Sequence, residues 1–217
     1  MSGETRTYAT YKAFCGNFEQ PWVTRISEAV DWTQQETTRD QACIEAVLAT
    51  LAVTGASILH VGVGNSEFAQ HFASRAYRID GLTVHQNEKT HADTLGIPNY
   101  TVYVLNKYSP EFVSVITSTY DFIVDNNLAS FACCQQHFAV MCENYLRVLA
   151  PHGQILTCQI GMNAYHGDFG WVMTYADLVS LERKFPYACR SSPMWSMPWP
   201  CGHDLDGEGS RPCAWCI

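Results

Sequence analysis

The run YDFIVD, Tyr120–Asp125, ends on a carboxylate and passes directly into Asn126 and Asn127. A β-rich run that stops on three polar side chains sets them at the mouth of a sheet, where a carboxylate can orient a ligand or accept a proton. Turn propensity alone also favours Asp and Asn at such a place. Earlier in the chain, Ile58–Val63 ends at Gly62-x-Gly64. Those glycines allow close approach of the backbone to a ligand, and the helix that follows offers unpaired N–H groups and a positive dipole end. His166 follows Tyr165 in a glycine-flanked loop and His137 lies inside a helical pattern. Both are candidates for the base that a hydroxyl nucleophile requires, although a histidine within a helix is more often an ordinary satisfied one.

The tail carries Cys201-x-His203 and Cys213-x-x-Cys216, separated by the short segment DLDGEGSRP. Four such ligands fit a tetrahedral zinc site of the three-cysteine, one-histidine type. A Cys-x-His pair is a less common half-site than Cys-x-x-Cys, and we assign no metal.

Strands and helices in strict alternation must position these residues. Ile58–Val63 is the first strand, and Phe68, Ala69, Phe72, Ala73 and Ala76 recur at helical spacing after it, with Ser66 starting that helix. A second strand over Ile79–Val84 leads to a short helix that ends before Gly96-Ile97-Pro98, and a third strand covers Tyr100–Leu105. Ser109-Pro110-Glu111 reads as a helix start with proline at the first helical position. Tyr120–Asp125 is the fourth strand. The apolar positions Cys134, Phe138, Met141, Cys142, Tyr145, Val148 and Leu149 mark a long helix ending before a Pro151-His152-Gly153 turn, and Gln154–Gln159 is the fifth strand. A helix capped by Thr174 follows. Ahead of the sheet, Thr38-Arg39-Asp40-Gln41 fits a capping box for a helix reaching about Val53.

This order predicts an α/β, Rossmann-like, doubly wound and mainly parallel sheet covered on both faces. We divide the chain into an N-terminal aromatic arm or lid (1–37), an α/β domain (38–190) and a Cys/Trp/Pro-rich tail of the same domain (191–217) with a last strand near Cys213–Ile217. The arm contains Tyr8, Tyr11, Phe14, Phe18, Trp22 and Trp32. It either packs on the sheet or closes over the crevice at the carboxyl ends of the strands.

Bulk properties exclude some partners. The 217 residues suffice for one well-buried domain, and 47% hydrophobic with 16% charged residues is ordinary for a globular chain. A net charge of −8 argues against nucleic acid. No apolar run is long enough for a membrane span and the first residues lack a signal-type apolar core, so we expect a cytoplasmic protein with no membrane partner. Its ten cysteines are then expected as thiols. A homodimer is left open.

In order and spacing, ILHVGVGNSEFA, IDGLTVHQNEKTHA, YDFIVDNN and LRVLAPHGQIL resemble the successive motifs of class I S-adenosylmethionine-dependent methyltransferases, over about residues 38–161. Within that family the chain looks like a small-molecule enzyme of secondary metabolism. The resemblance implies S-adenosylmethionine as cofactor, with Gly62, Gly64 and Asn65 along its methionine moiety. The family places an acid two positions after a glycine of the second strand, to hold the ribose hydroxyls. Here that position holds Thr83. Asn106 stands where an aspartate often meets the adenine, and His60 where an acid often precedes the glycine turn. Asp125 matches the position beside the methionine end and the substrate, and Asn126, next to it at the strand end, is a further candidate for contacting the cofactor. Asp125 and His166 are the catalytic candidates.

A carboxylate accepting two hydroxyl hydrogen bonds is worth roughly twice a neutral partner. Thr83 therefore weakens the ribose site unless His85, Asn87 or Glu88 takes over. The leading expectation is methyl transfer to oxygen or nitrogen of a small molecule. The alternative is a methyltransferase-fold protein that binds a ligand or catalyses a non-methylating reaction. A nicotinamide-dependent oxidoreductase ranks last, because Glu67 occupies the third glycine position of the dinucleotide fingerprint.

Overall fold

The computed structural model describes residues 31–128, 135–158 and 214–216. Their elements run α1 (Arg39–Thr50), β1 (Ser57–Val61), α2 (Glu67–Phe72), β2 (Arg78–Thr83), α3 (Gln86–Thr94), β3 (Tyr100–Val104), α4 (Phe112–Val115), β4 (Tyr120–Asp125), α5 (Gln135–Val148), β5 (Leu149–Cys158) and β6 (Ala214–Cys216). They form a six-stranded sheet in the order β3-β2-β1-β4-β5-β6. The first five strands are parallel and β6 runs antiparallel to β5. The expected mainly parallel, doubly wound sheet is therefore present. Among the described residues no helix is long and apolar enough to cross a membrane.

Each central strand is buried on both faces, and alternate side chains feed two cores. Leu59, Leu82 and Ile123 pack with Phe112 of α4 and with Phe138, Met141 and Tyr145 of α5. Ile58, Ile79 and Val124 pack with Ile44 and Leu48 of α1 and Phe68 and Phe72 of α2. Burial of this apolar surface, at about 25 cal/mol per Å², drives the layers together. Strand order reverses direction at β1, whose end residue Val61 pairs with Asp125 of β4. A crevice opens at such a switch point, at the carboxyl ends of the strands.

Leaving β1, the chain crosses over β2: the N–H groups of Gly62 and Val63 both donate to Leu82 O, at 2.8 and 3.3 Å. This brings Val63 onto Gly81. A Cβ at Gly81 would lie 2.5 Å from Val63 Cγ1 and 3.0 Å from Val102 Cγ2, so the strand needs glycine there.

Several expected local features are corrected. The Thr38 side chain makes no cap hydrogen bond, and Gln41 donates instead to Glu45 Oε1 at 3.2 Å. The helix expected at Ser109-Pro110-Glu111 begins at Phe112 and lasts one turn, because the backbone first closes a turn from Ser109 N to Asn106 O. Pro151-His152-Gly153 does not separate α5 from β5. It belongs to β5, which starts at Leu149 and bulges against β4 between Tyr120 and Phe122, with His152 at φ 70°. Bulging accommodates the extra residues without ending the pairing. The expected last strand is β6, shorter than anticipated. The helix placed after Thr174, the tail ligands Cys201, His203 and Cys213, and the arm before residue 31 lie outside the described residues.

Candidate active site

A cavity of about 440 Å³ opens where β1, β2, β3 and β4 end, roofed by residues 32–41 and walled by Phe68 and Glu88. This size suits a small-molecule ligand. Gly62, Gly64, Asn65, Thr83, Asn106, Asp125 and Asn126 all line it. His166, the remaining site candidate, lies outside the described residues. His137 is fully buried on α5 and is not among the lining residues.

The glycine turn has the backbone its sequence requires. Gly62 and Gly64 have φ of 84° and 50°, and a Cβ on Gly62 would meet nothing within 4 Å, so the turn presents open space. Ser66, two residues after Gly64, also takes φ 60°. It reproduces a conformation that glycine usually provides, and its hydroxyl lies 3.1 Å from Tyr100 OH. Asn65 works in two directions. Its Oδ1 accepts from Glu67 N at 3.1 Å at the start of α2, and its Nδ2 donates to Gln35 O at 2.9 Å. Thr37 adds a hydrogen bond to Glu67 Oε2, and Asn87 Nδ2 donates to Asp31 Oδ2 at 3.2 Å. Residues 31–37 are thus tied across the turn, with Trp32 against Gly64.

At the end of β2, Thr83 Oγ1 donates to Glu88 Oε2 at 2.5 Å and accepts from His85 N at 2.9 Å. Glu88 is 5% exposed, and its carboxylate comes from the first turn of α3. His85 instead caps α3, its Nδ1 accepting from Asn87 N at 3.3 Å. Of the three residues that could replace the missing strand-end acid, Glu88 is the one whose side chain is held on Thr83. Asn106, 5% exposed, accepts from Tyr108 N through Oδ1 at 2.9 Å.

Asp125 is completely buried. Its Oδ2 accepts from Lys107 Nζ at 2.8 Å and Tyr145 OH at 2.7 Å, while Oδ1 accepts from Asn127 N at 3.1 Å. Lys107 Nζ also donates to the carbonyl oxygens of Asn127 and Leu128, at 2.7 and 3.3 Å. All three ammonium donors are therefore used. Burial pushes the Lys107 ammonium below the usual lysine range, and the Asp125 charge opposes that shift. Burial, then the Asp125 charge, holds the Tyr145 phenol protonated well above its ordinary range. Asp125 is consequently a braced carboxylate whose charge Lys107 balances. Lys107 and Tyr145 carry no motif signal and escape a reading of the sequence. One hint was available: Lys107 directly follows Asn106 at a strand end.

His60 lies on β1, 2% exposed, stacked on Phe68 with ring centroids 4.2 Å apart. Neither ring nitrogen has a hydrogen-bond partner among the described residues. Burial pushes its pKa down to about 3, so the ring is neutral. Asn126 Nδ2 donates to Asp40 Oδ2 at 3.3 Å, joining the end of β4 to the first turn of α1. Among the described residues no group of three or more His, Cys, Asp or Glu side chains could hold a metal ion.

No protein-family model matches the chain, and no curated protein matches it in sequence. Solved structures do match in three dimensions. The N-methyltransferase NodS from Bradyrhizobium japonicum WM9, in complex with S-adenosyl-L-homocysteine, gives a TM-score of 0.50 at 14% identity, over 63% of this chain and 70% of that one. A ribosomal protein L11 methylase from Lactobacillus delbrueckii subsp. bulgaricus gives 0.52 at 14% identity, over 83% and 78%. The DhpI–SAM–HEP complex gives 0.52 at 12% identity, over 90% and 92%. With the strand order and the glycine turn at the switch point, these likenesses show that the chain has the Rossmann-like fold of S-adenosylmethionine-dependent methyltransferases.

Proposed function

We propose that the chain binds S-adenosylmethionine in this cavity and transfers its methyl group to oxygen or nitrogen of a small molecule, as a cytoplasmic enzyme of secondary metabolism. The observation that carries the reading is the Glu88 carboxylate, buried and held on Thr83 at the end of β2. The sequence lacks an acid at position 83, and the fold delivers one from position 88. Solved structures sharing this fold include complexes with S-adenosyl-L-homocysteine and with SAM, which supports the same ligand here.

Residues of the cavity fit the parts of such a cofactor. Gly62 leaves open space for the methionine moiety, Gly64 lies against Trp32, and Asn65 fixes the turn. Thr83 and Glu88 would take the ribose hydroxyls, Glu88 as an ionised acceptor. Asn106 would meet the adenine edge. When bound, the cofactor supplies an electrophilic methyl group on a positively charged sulfur. Asp125 and Asn126 would border that end. Because Lys107 and Tyr145 already engage Asp125, its role is to hold Asn127 and the following loop rather than to take a proton. His166 would stand on the substrate side.

The alternative, a protein that keeps the fold but binds another ligand or catalyses a non-methylating reaction, draws its motive from three replaced acids, at His60, Thr83 and Asn106. Glu88 supplies a carboxylate at the second of these places. Calorimetric titration with S-adenosyl-L-homocysteine tests the reading: saturable binding that weakens in Glu88→Gln supports it, and no heat at millimolar ligand sinks it.

A further inference from the structure

Among the described lining residues, the charged side chains of the cavity are Glu36, Asp40, Glu88, Asp125 and Lys107. Lys107 is paired with Asp125, and Glu88 is held on Thr83. Glu36 and Asp40 then remain, both from the segment that roofs the cavity, and no salt bridge among the described residues involves either. Four acids against one cation leave this cavity with an excess of negative charge. An acceptor bearing a carboxylate or phosphate would enter against that charge with no uncommitted cation among the described lining residues to receive it.

A second, independent feature points to a hydrogen-bond donor. His60 is buried, lines the same cavity, and has no partner for either ring nitrogen among the described residues. A neutral imidazole offers one accepting nitrogen, and buried polar atoms in native proteins are rarely left unpaired. His60 stacks on Phe68, which packs with Ile44 of α1, so it belongs to the wall beneath the helix that carries Asp40.

Resting on the methyltransferase reading, we propose that the acceptor is a primary or secondary amine, drawn in as its ammonium form by Asp40 and Glu36, with His60 accepting one of the N–H bonds offered by the bound ligands. Asp40 is the principal contact. It is already positioned by Asn126 at the end of β4, beside the place where transfer would occur. The ammonium first releases one proton, to the Asp40 carboxylate and from there to water. The freed nitrogen lone pair then forms the bond to the methyl carbon as the carbon–sulfur bond breaks, its electron pair remaining on sulfur. The positive charge lost by sulfur is gained by the methylated nitrogen, and the single proton in solution completes the balance. An amine needs no strong base for this step, in keeping with an Asp125 committed to Lys107 and Tyr145.

The test uses the full chain, S-adenosylmethionine with a labelled methyl group, and three acceptor skeletons (propyl, phenethyl and indolylethyl), each ending in an amine, an alcohol or a carboxylate. Thermal shifts are recorded for the same compounds with S-adenosyl-L-homocysteine present. Labelled product and stabilisation are expected from amines only. Asp40→Asn is expected to raise the amine KM by roughly tenfold, the loss of one charge-assisted hydrogen bond, and Glu36→Gln to raise it less, with S-adenosyl-L-homocysteine affinity retained in both. Transfer to alcohols or carboxylates in preference to amines, no accepted amine in a protein that binds S-adenosyl-L-homocysteine, or an unchanged KM in Asp40→Asn overturns the proposal alone. Absence of S-adenosyl-L-homocysteine binding overturns the methyltransferase reading beneath it.

Discussion

Thr83 and Glu88 form one unit: the threonine hydroxyl at the end of β2 donates to the glutamate Oε2 at 2.5 Å, and both side chains are buried in the cavity wall. Glu88→Gln keeps the shape but gives up the charge. It is expected to weaken S-adenosyl-L-homocysteine binding by roughly tenfold, the difference between an ionised and a neutral acceptor. Thr83→Val should weaken it less, since the carboxylate survives but loses its anchor. Calorimetric titration of both variants checks the order.

Lys107 and Asp125 are expected to behave as a buried pair. Lys107→Met leaves the fully buried Asp125 charge uncompensated and should cost about 3–5 kcal/mol of stability in urea denaturation. Replacing both, Lys107→Met with Asp125→Leu, should recover part of that loss, because no charge is then stranded. A double variant no more stable than Lys107→Met would contradict the pairing.

His60 gives the fold an acid sensitivity. Its pKa is about 3 in the folded protein against an ordinary value of 6.5. Between those values the unfolded chain holds a proton that the folded chain does not, so stability present above pH 6.5 is lost as pH falls. The loss from this group approaches about 1.4 kcal/mol per pH unit within that window. His60→Leu should flatten the decline of the urea midpoint between pH 7 and pH 5 (roughly the upper half of the window). An identical decline in both proteins would count against a buried neutral ring.

Gly81 is expected to tolerate no side chain cheaply. Gly81→Ala would press its methyl against Val63 Cγ1, 2.5 Å from the ideal Cβ position, and Val63 belongs to the glycine turn itself. Overpacking of this kind costs about 1–3 kcal/mol. Calorimetric melting should register the loss, and the cavity should bind ligand less well because the turn shifts.

Much of this architecture was legible in the residues. β4 begins and ends where the YDFIVD pattern does, because a strand buried at all but one position and followed by polar residues has little freedom in its limits. The glycine turn, Thr83, Asn106, Asp125 and Asn126 converge on one cavity, as alternating strands and helices require. The start of β5 was not legible. Proline and glycine read locally as a break, whereas pairing with β4 absorbs Pro151-His152-Gly153 as a bulge. Nor could the pattern reveal Lys107 as a buried partner of Asp125, since lysine ordinarily faces water. That pairing exists only once β3 and β4 are set in the sheet with β2 and β1 between them. Glu88 lay between these cases: its nearness to Thr83 was visible, and its burial was decided by the packing of α3.

The most direct measurement is a calorimetric titration of the intact chain with S-adenosyl-L-homocysteine. Saturable binding at a single site, in the micromolar range and weakened by Glu88→Gln, is the expected result. Absence of heat and of any thermal stabilisation at millimolar ligand would contradict a cofactor site at the end of β1 and β2.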